Sequence, residues 1–377
     1  MSQKQQILSL LAGQQFDAAR QLALDMDIEN IGSVEDLARI AHQFRRANDP
    51  SSASRFSLQA ARIRPQHAEA VLLAAKDLVR IGDVSRAEAL IQQLPEEVQD
   101  SAGALMLRSA ISYQRHQFTA CIDLTAKVLR QHPNYAAAHL ERAHALLMLG
   151  RWQEGWKEYQ WRFRIKSSRH QLPQFRMPLW QGEAGLDHLL VVADQGYGDC
   201  FQFSRFLPMV AERCNRITLM RSAPLARLFD RCASVDASFD NWNQTPRTDA
   251  WCTLSDLPGL FSITPDSVPG CENILSPEAA EVSTWQQRFD QRGDRLRVGI
   301  AWSGRTEFEN NHLRALSLAS MSPLLDLEGV DLYSLQALDV IITTDTSVAH
   351  LAGTLGRPTC VLLAYAPDWR WDSEGTT

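Results

Sequence analysis

Two periodicities divide this chain. From the N-terminus to about residue 165, apolar residues recur at helical spacing, and strand-like alternation is nearly absent. From Leu189 onward, short apolar runs alternate with amphipathic stretches. That second pattern predicts strands and crossover helices in a parallel sheet covered on both faces. The first half also repeats itself. Its turns begin at Gly13-Gln14-Gln15-Phe16, Asn48-Asp49-Pro50, Gly82-Asp83-Val84, His116-Gln117-Phe118 and Gly150-Arg151-Trp152, spaced 35, 34, 34 and 34 residues apart. Five residues after each start stands a small side chain: Ala18, Ala53, Ala87, Cys121 or Gly155. Seven before the last four starts stands another: Ala41, Ala75, Ser109 or Ala143. Small residues at two fixed places predict two antiparallel helices per unit that cross closely, joined by a turn favouring Gly, Asn or Asp.

A unit of this length cannot bury its apolar face alone and has to stack on its neighbours. The pattern resembles the tetratricopeptide repeat, best in the unit from Tyr135 through Trp156. The first unit is degenerate, as a cap would be. Such arrays bind peptides or proteins on a concave face; the plainer expectation is that this one supports the domain after it. Trp156, Tyr159, Trp161 and Phe163 crowd the array's end and read as packing. Gln171 to Trp180 reads as an extended connector, since Pro173 and Pro178 interrupt any helix. The expected domains are repeats over 1–165, a linker over 166–188, and α/β halves over 189–290 and 291–377.

In the first α/β half, Leu189–Ala193 predicts a strand and Cys200–Ala211 a helix. Ile217–Met220 and Ala250–Leu254 predict further strands. Ligands in such sheets bind at strand carboxyl ends, so Asp199 and Ser255-Asp256 are expected to face a cleft. Gly196-Tyr197-Gly198 begins like a dinucleotide fingerprint, but the third glycine position is Phe201, and no Gly-Lys-Ser/Thr follows anywhere. What remains is a loop that lets a ligand approach its backbone. Asp199 there is either the helix N-cap or a functional carboxylate. In the second half, Arg297–Trp302 and Val340–Thr344 predict strands, and Val348–Leu355 a helix stopped by Gly356. Thr346, Ser347 and the first N–H groups of that helix predict an anion site.

Composition narrows the function. The chain has 377 residues, 45 % of them hydrophobic, with a net charge of −6. No basic excess exists for a nucleic-acid partner held through phosphates. The first residues are polar, no apolar run is long enough to span a membrane, and the seven cysteines form no CxxC. A cytoplasmic protein without zinc or a disulfide framework is expected.

Four motifs then occur in order: Gln195-Gly196-x-Gly198-Asp199-x-x-Gln202-Phe203-x-Arg205; Val298-Gly299-x-x-Trp302-x-Gly304; Asp345-Thr346-x-Val348-Ala349-His350-Leu351-Ala352-Gly353; and Ala366-Pro367-Asp368-Trp369-Arg370-Trp371. Behind the repeats, they resemble bacterial tetratricopeptide-repeat glycosyltransferases, similar to the heptosyltransferases and more distantly to the O-GlcNAc transferases. The resemblance implies an all-α array followed by a two-Rossmann (GT-B) unit. It implies inverting, metal-independent transfer from a nucleotide sugar, with no cofactor, to a protein or glycan acceptor. Asp199 would be the general base. Asp345, Thr346, Ser347, His350, Trp302 and Gly304 would hold the donor, and Arg314 would oppose the leaving diphosphate. Gln195, Gly196, Gly198 and Gln202 would line the acceptor side. The second half is expected to be shortened: Asp331–Gln336 runs straight into Ala337–Ile341, and the chain stops soon after Trp371. Parallel strands ordinarily need a crossover of about a dozen residues. The rival expectation is a decayed transferase serving as an interaction scaffold; a nucleotide-sugar sensor without turnover is the third.

Overall fold

The computed structural model describes residues 2–30, 33–165, 172–270, 274–290, 296–304, 315–324, 327–328, 330–333, 340–355, 358–363, 369 and 371. The chain forms two compact units, Met1–Ala145 and Leu146–Thr377.

The first unit is a helical repeat array. Its hairpins are α1 (Gln3–Ala12) with α2 (Phe16–Asp25), α3 (Val34–Arg46) with α4 (Pro50–Ile63), α5 (Ala68–Arg80) with α6 (Val84–Gln92), and α8 (Ala102–Gln114) with α9 (Phe118–Gln131). A short α7 (Glu96–Gln99) intervenes, and α10 (Ala136–Met148) runs across the unit boundary into α11 (Trp152–Tyr159). By packing, therefore, α11 goes with the second unit.

One local device ends the first helix of every hairpin. Gln14, Asn48, Gly82, His116 and Gly150 all have positive φ, between 55° and 82°. The next residue's N–H donates back to a carbonyl five positions earlier: Gln15 to Leu10, Asp49 to Phe44, Asp83 to Leu78, Gln117 to Ser112, Arg151 to Leu146, at 2.8–2.9 Å. This is the Schellman closure, which spends a left-handed residue to satisfy orphan carbonyls. The device corrects the sequence register. The first left-handed residue is Gln14 rather than Gly13, which makes the spacing 34 throughout. The small crossing residue shifts in step: Ala19 is fully buried, whereas Ala18 is exposed. Ala53, Ala87, Cys121, Ala41, Ala75, Ser109 and Ala143 are fully buried as well. In α8 and α9 the two small positions touch, with Ser109 Oγ 3.1 Å from Cys121 Sγ.

The second unit holds two four-stranded, all-parallel sheets among the described residues. In the first sheet the order is β3-β2-β1-β4, from β1 (Leu186–Val192), β2 (Cys214–Met220), β3 (Ala237–Phe239) and β4 (Ala250–Thr253). Leu190 and Val192 pack toward Phe239 on one face. The helix expected at Cys200–Ala211 starts earlier and is broken. α12 (Tyr197–Phe203) passes through a 3-10 turn into α13 (Leu207–Ala211), with Pro208 at the second helix's start. α14 (Ala226–Phe229), α15 (Leu257–Leu260) and α16 (Ala279–Asp290) follow.

In the second sheet the order is β6-β5-β7-β8, from β5 (Leu296–Ala301), β6 (Val330–Tyr333), β7 (Val340–Thr344) and β8 (Thr359–Leu362). α17 (Ser347–Thr354) joins β7 toward β8. β6 and β7 flank β5 on opposite sides, both parallel to it. Residues 334–339 between them lie outside the described residues; they number six, fewer than a helical crossover uses. Among the described residues no helix is long and apolar enough to cross a membrane.

Candidate functional site

In each sheet the strand order reverses once, between β1 and β4 and between β5 and β7. Crevices for ligands open at the carboxyl ends of strands at such switch points.

The first switch point is filled by the chain itself. After α11 a 3-10 turn, Gln160–Arg164, carries Arg162 into the sheet's carboxyl end. Its side chain is 1 % exposed. Nη2 donates to Asp256 Oδ1 at 2.6 Å, Ser255 Oγ at 2.9 Å and Thr253 Oγ1 at 3.1 Å. It also lies 3.5 Å from Asp194 Oδ2. The guanidinium sits over the rings of Phe163 and Tyr159, at 3.9 and 4.5 Å. Burial alone would lower the Arg162 pKa; the Asp256 and Asp194 charges outweigh it and hold the group above its ordinary value. Ser255 Oγ donates to Asp194 Oδ2 at 2.7 Å, and Gln160 Nε2 to Asp256 Oδ1 at 2.8 Å. Ser255 and Asp256 therefore close over an internal cation. The expectation that they face an open cleft is corrected: both are buried. Arg162 was missed by motif reading. The available signal was an arginine set between Trp161 and Phe163, with two acids at strand ends to receive it.

The loop after β1 turns at Gly196, the N-cap of α12. Asp199 is the third helical residue rather than the cap, and its Oδ2 accepts from Gly196 N at 3.2 Å. Gln195 Nε2 donates to Asp194 Oδ2 at 3.1 Å. A Cβ at Gly198 would stand 2.7 Å from His350 Cδ2 and 3.2 Å from Ser347 Cα, so only glycine permits this approach of α12 to α17. Thr354 Oγ1 donates to Phe201 O at 3.4 Å further along the same seam. Gln202 Oε1 is buried with no hydrogen-bond partner among the described residues.

At the second switch point Thr346 caps α17, its Oγ1 accepting from Val348 N at 3.4 Å and lying 3.2 Å from Thr343 Oγ1. Asp345 and Ser347 flank this cap, partly exposed. Thr344 Oγ1 is buried without a hydrogen-bond partner among the described residues. His350 stacks on Trp371, with ring centres 5.1 Å apart. Trp302 packs against the apolar cluster of Val298, Ile300 and Met321, and Gly304 O accepts from Ser303 Oγ at 3.2 Å. Arg314 lies outside the described residues, as do Arg305, Gly356 and 364–368. The structure thus brings the Gly198 loop against Ser347 and His350. No trio of His, Cys, Asp or Glu converges as a metal site would require, among the described residues.

The terminal tryptophans find a structural use. Trp369 packs edge-on against Trp156 at 5.1 Å and Trp152 at 6.1 Å, and stacks on Phe203 at 6.5 Å. Gly259 leaves room for Trp156, whose Cβ would be 3.0 Å from an added methyl. The aromatic residues after α10 are thus core packing for the second unit.

Residues 44–111 match the tetratricopeptide repeat family model. Among curated proteins, the chain is similar to Protein FlbA of Caulobacter vibrioides, 28 % identical over 228 residues, covering 53 % of this chain. That similarity spans 37 % of the relative's length. Among solved structures, the chain is similar to TTC0263, a tetratricopeptide-repeat protein of Thermus thermophilus. The identity is 17 % over 36 % of this chain and 76 % of that one, with a TM-score of 0.33. It is also similar to PilW, described as a type IV pilus biogenesis factor, at 18 % identity over 43 % and 77 % with a TM-score of 0.34. The segment that matches the tetratricopeptide repeat thus lies within an array of helical hairpins, which a parallel-sheet α/β region follows in the chain.

Proposed function

We propose that the chain acts as a protein-recognition scaffold, with the repeat array as its binding element. The observation that carries this reading is an open cavity of about 250 Å³ within the array, lined by Arg108, Ser112, Arg115, Gln117, Asp123 and Lys127 among others. It sits on a surface formed by stacked repeats, the kind of surface solenoids use for partners. Arg115 is engaged by Glu88 at 2.7 Å, which leaves Arg108 and Lys127 as the cavity's other cations. The reading is tested by placing a photo-crosslinking residue at Gln117, which lines the cavity, and at Arg62 as an exposed control. Crosslinked protein should appear from 117 and disappear when Arg108→Glu/Lys127→Glu is added. Equal capture from both positions, or capture indifferent to the charge reversal, refutes it.

A second reading is favoured by the junction of α12 and α17: the α/β unit transfers a sugar from a nucleotide-sugar donor. The support is that Gly198, Ser347 and His350 meet while Gln202 Oε1 and Thr344 Oγ1, buried on the adjoining elements, have no partner among the described residues. In this GT-B-like scheme the acceptor oxygen bonds to the anomeric carbon as the sugar–diphosphate bond breaks, and the acceptor proton passes to Asp199. N–H groups at the start of α17 receive the developing diphosphate charge. Calorimetric titration with nucleoside diphosphates and their sugars, followed by a transfer assay, is the test. Transfer that falls by about 10²–10⁴-fold in Asp199→Asn supports it. No binding to any member of the panel removes it and leaves the scaffold reading alone. Binding without turnover, unchanged in Asp199→Asn, identifies a sensor.

A further inference from the structure

The switch point between β1 and β4 offers an unusual set of groups. Two carboxylates with almost no exposure, Asp194 at 0 % and Asp256 at 2 %, face one cation that is 1 % exposed. Two hydroxyls, Thr253 Oγ1 and Ser255 Oγ, complete the ring of acceptors around Nη2. The cation comes from outside the sheet, on a turn 91 to 94 residues earlier in the chain than its hydroxyl and carboxylate partners at the end of β4 and just beyond it. Its Cζ lies over the Phe163 ring at 3.9 Å and over the Tyr159 ring at 4.5 Å. The four oxygens all lie against Nη2, Nη1 donates to Tyr159 O at 3.2 Å, and Nε is buried without a hydrogen-bond partner among the described residues. Two ring faces against a delocalised cation are the contact that a guanidinium makes better than an ammonium.

The geometry points to a guanidinium-binding crevice that the chain fills intramolecularly: Arg162 is a tethered ligand of the first sheet, and a positioning residue for the loop that follows β1. The second part follows from Asp194. The same carboxylate that faces Arg162 accepts from Ser255 Oγ at 2.7 Å and from Gln195 Nε2 at 3.1 Å, and it opens the loop that carries Gly196 to Asp199. Filled in this way, the crevice is closed to outside ligands, so a small molecule bound by the α/β unit has to use other surfaces.

Chemical rescue tests it in the full-length chain. Arg162→Ala leaves two buried carboxylates without their cation and should lower the melting temperature on the order of 10 °C. Millimolar guanidinium chloride should restore much of that loss saturably. Equal sodium chloride or urea should not, and the unaltered protein should show no gain. Amide exchange at Tyr197–Cys200, faster in Arg162→Ala, should slow again with guanidinium. A second variant covers failure to fold: Arg162→Ala/Asp194→Asn/Asp256→Asn removes the buried charge and should be more stable than Arg162→Ala, with no response to guanidinium. Three results overturn the proposal: no saturable recovery in a folded Arg162→Ala, a triple variant no more stable than the single one, or failure of both to fold. Each would mean that the arginine's bulk matters and its charge does not.

Discussion

Gly198 offers a direct test of the seam between α12 and α17. An added methyl would stand 2.7 Å from His350 Cδ2 and 3.2 Å from Ser347 Cα. Carbon atoms sit comfortably at about 3.5–4.0 Å, so the ring has to retreat by roughly 1 Å. That ring is stacked on Trp371, and Ser347 Cα is backbone in a helix tied to Phe201 through Thr354. Neither neighbour can yield freely. Overpacking of this kind costs about 1–3 kcal/mol, and Gly198→Ala should cost that much. Gly353 supplies the matched control: it lies in α17 with nothing within 4 Å of an added methyl. Gly353→Ala should be neutral or stabilise by about 0.5–1 kcal/mol, from the entropy glycine loses in a helix. The assay is urea denaturation followed by tryptophan fluorescence. All 10 tryptophans lie between Trp152 and Trp371, so the signal reports the second unit alone. A Gly198→Ala variant within about 0.5 kcal/mol of the parent, the scatter of a neutral surface substitution, would refute the close approach. So would equal losses in both variants.

Three further outcomes concern the array, each measured by far-UV circular dichroism during denaturation. Asp77 is fully buried, and its carboxylate receives Arg45 Nε and Ser57 Oγ, both at 2.7 Å. Asp77→Ala should cost about 3–5 kcal/mol by stranding both donors, and a loss under about 1 kcal/mol would show the network to be incidental. Gln14 is exposed at a φ of 57°, where a side chain other than glycine costs about 1 kcal/mol. Gln14→Gly should therefore stabilise by several tenths of a kcal/mol, and a clear destabilisation would contradict the left-handed turn. Burial pushes the Glu141 carboxyl up from an ordinary 4.5 to about 7. The folded chain then binds more protons than the unfolded one between those values, so stability should fall as pH rises through that window. Because the residue is only partly buried by exposure, Glu141→Gln should gain on the order of 1–2 kcal/mol at pH 8 and nothing at pH 4.5. A pH-independent effect would show the carboxyl to be solvated.

The 34-residue period, the helical hairpins and the parallel strands β1, β2, β4, β5 and β7 were legible in the residues. Their causes are local. A Schellman turn is closed by a carbonyl five residues away, and an apolar run declares a buried strand within its own length. Where local signals were weak, reading faltered. Glycine is the usual left-handed residue, so Gly13 drew the first turn, whereas the backbone turns at Gln14. β3 spans only three residues, with one buried apolar side chain, and left no periodic trace. Pro208 sits where it can begin a helix as readily as end one, and the chain uses it to begin α13.

The candidate site divides the same way. The composition of its loops was visible: glycines to let backbones meet, Asp199 near a helix start, and Thr346 before α17. Their mutual placement was not. Asp199 turns back on its own N-cap, and Gly198 has meaning only because Ser347 and His350 arrive from about 150 residues later. The filling of the first crevice depends on Arg162 meeting acids on two other strand ends. Sequence by itself determined which segments could be helix, strand and turn, since those choices rest on interactions within a few residues. Only the tertiary structure decided which charges meet, because a buried guanidinium is stable solely where distant carboxylates converge on it.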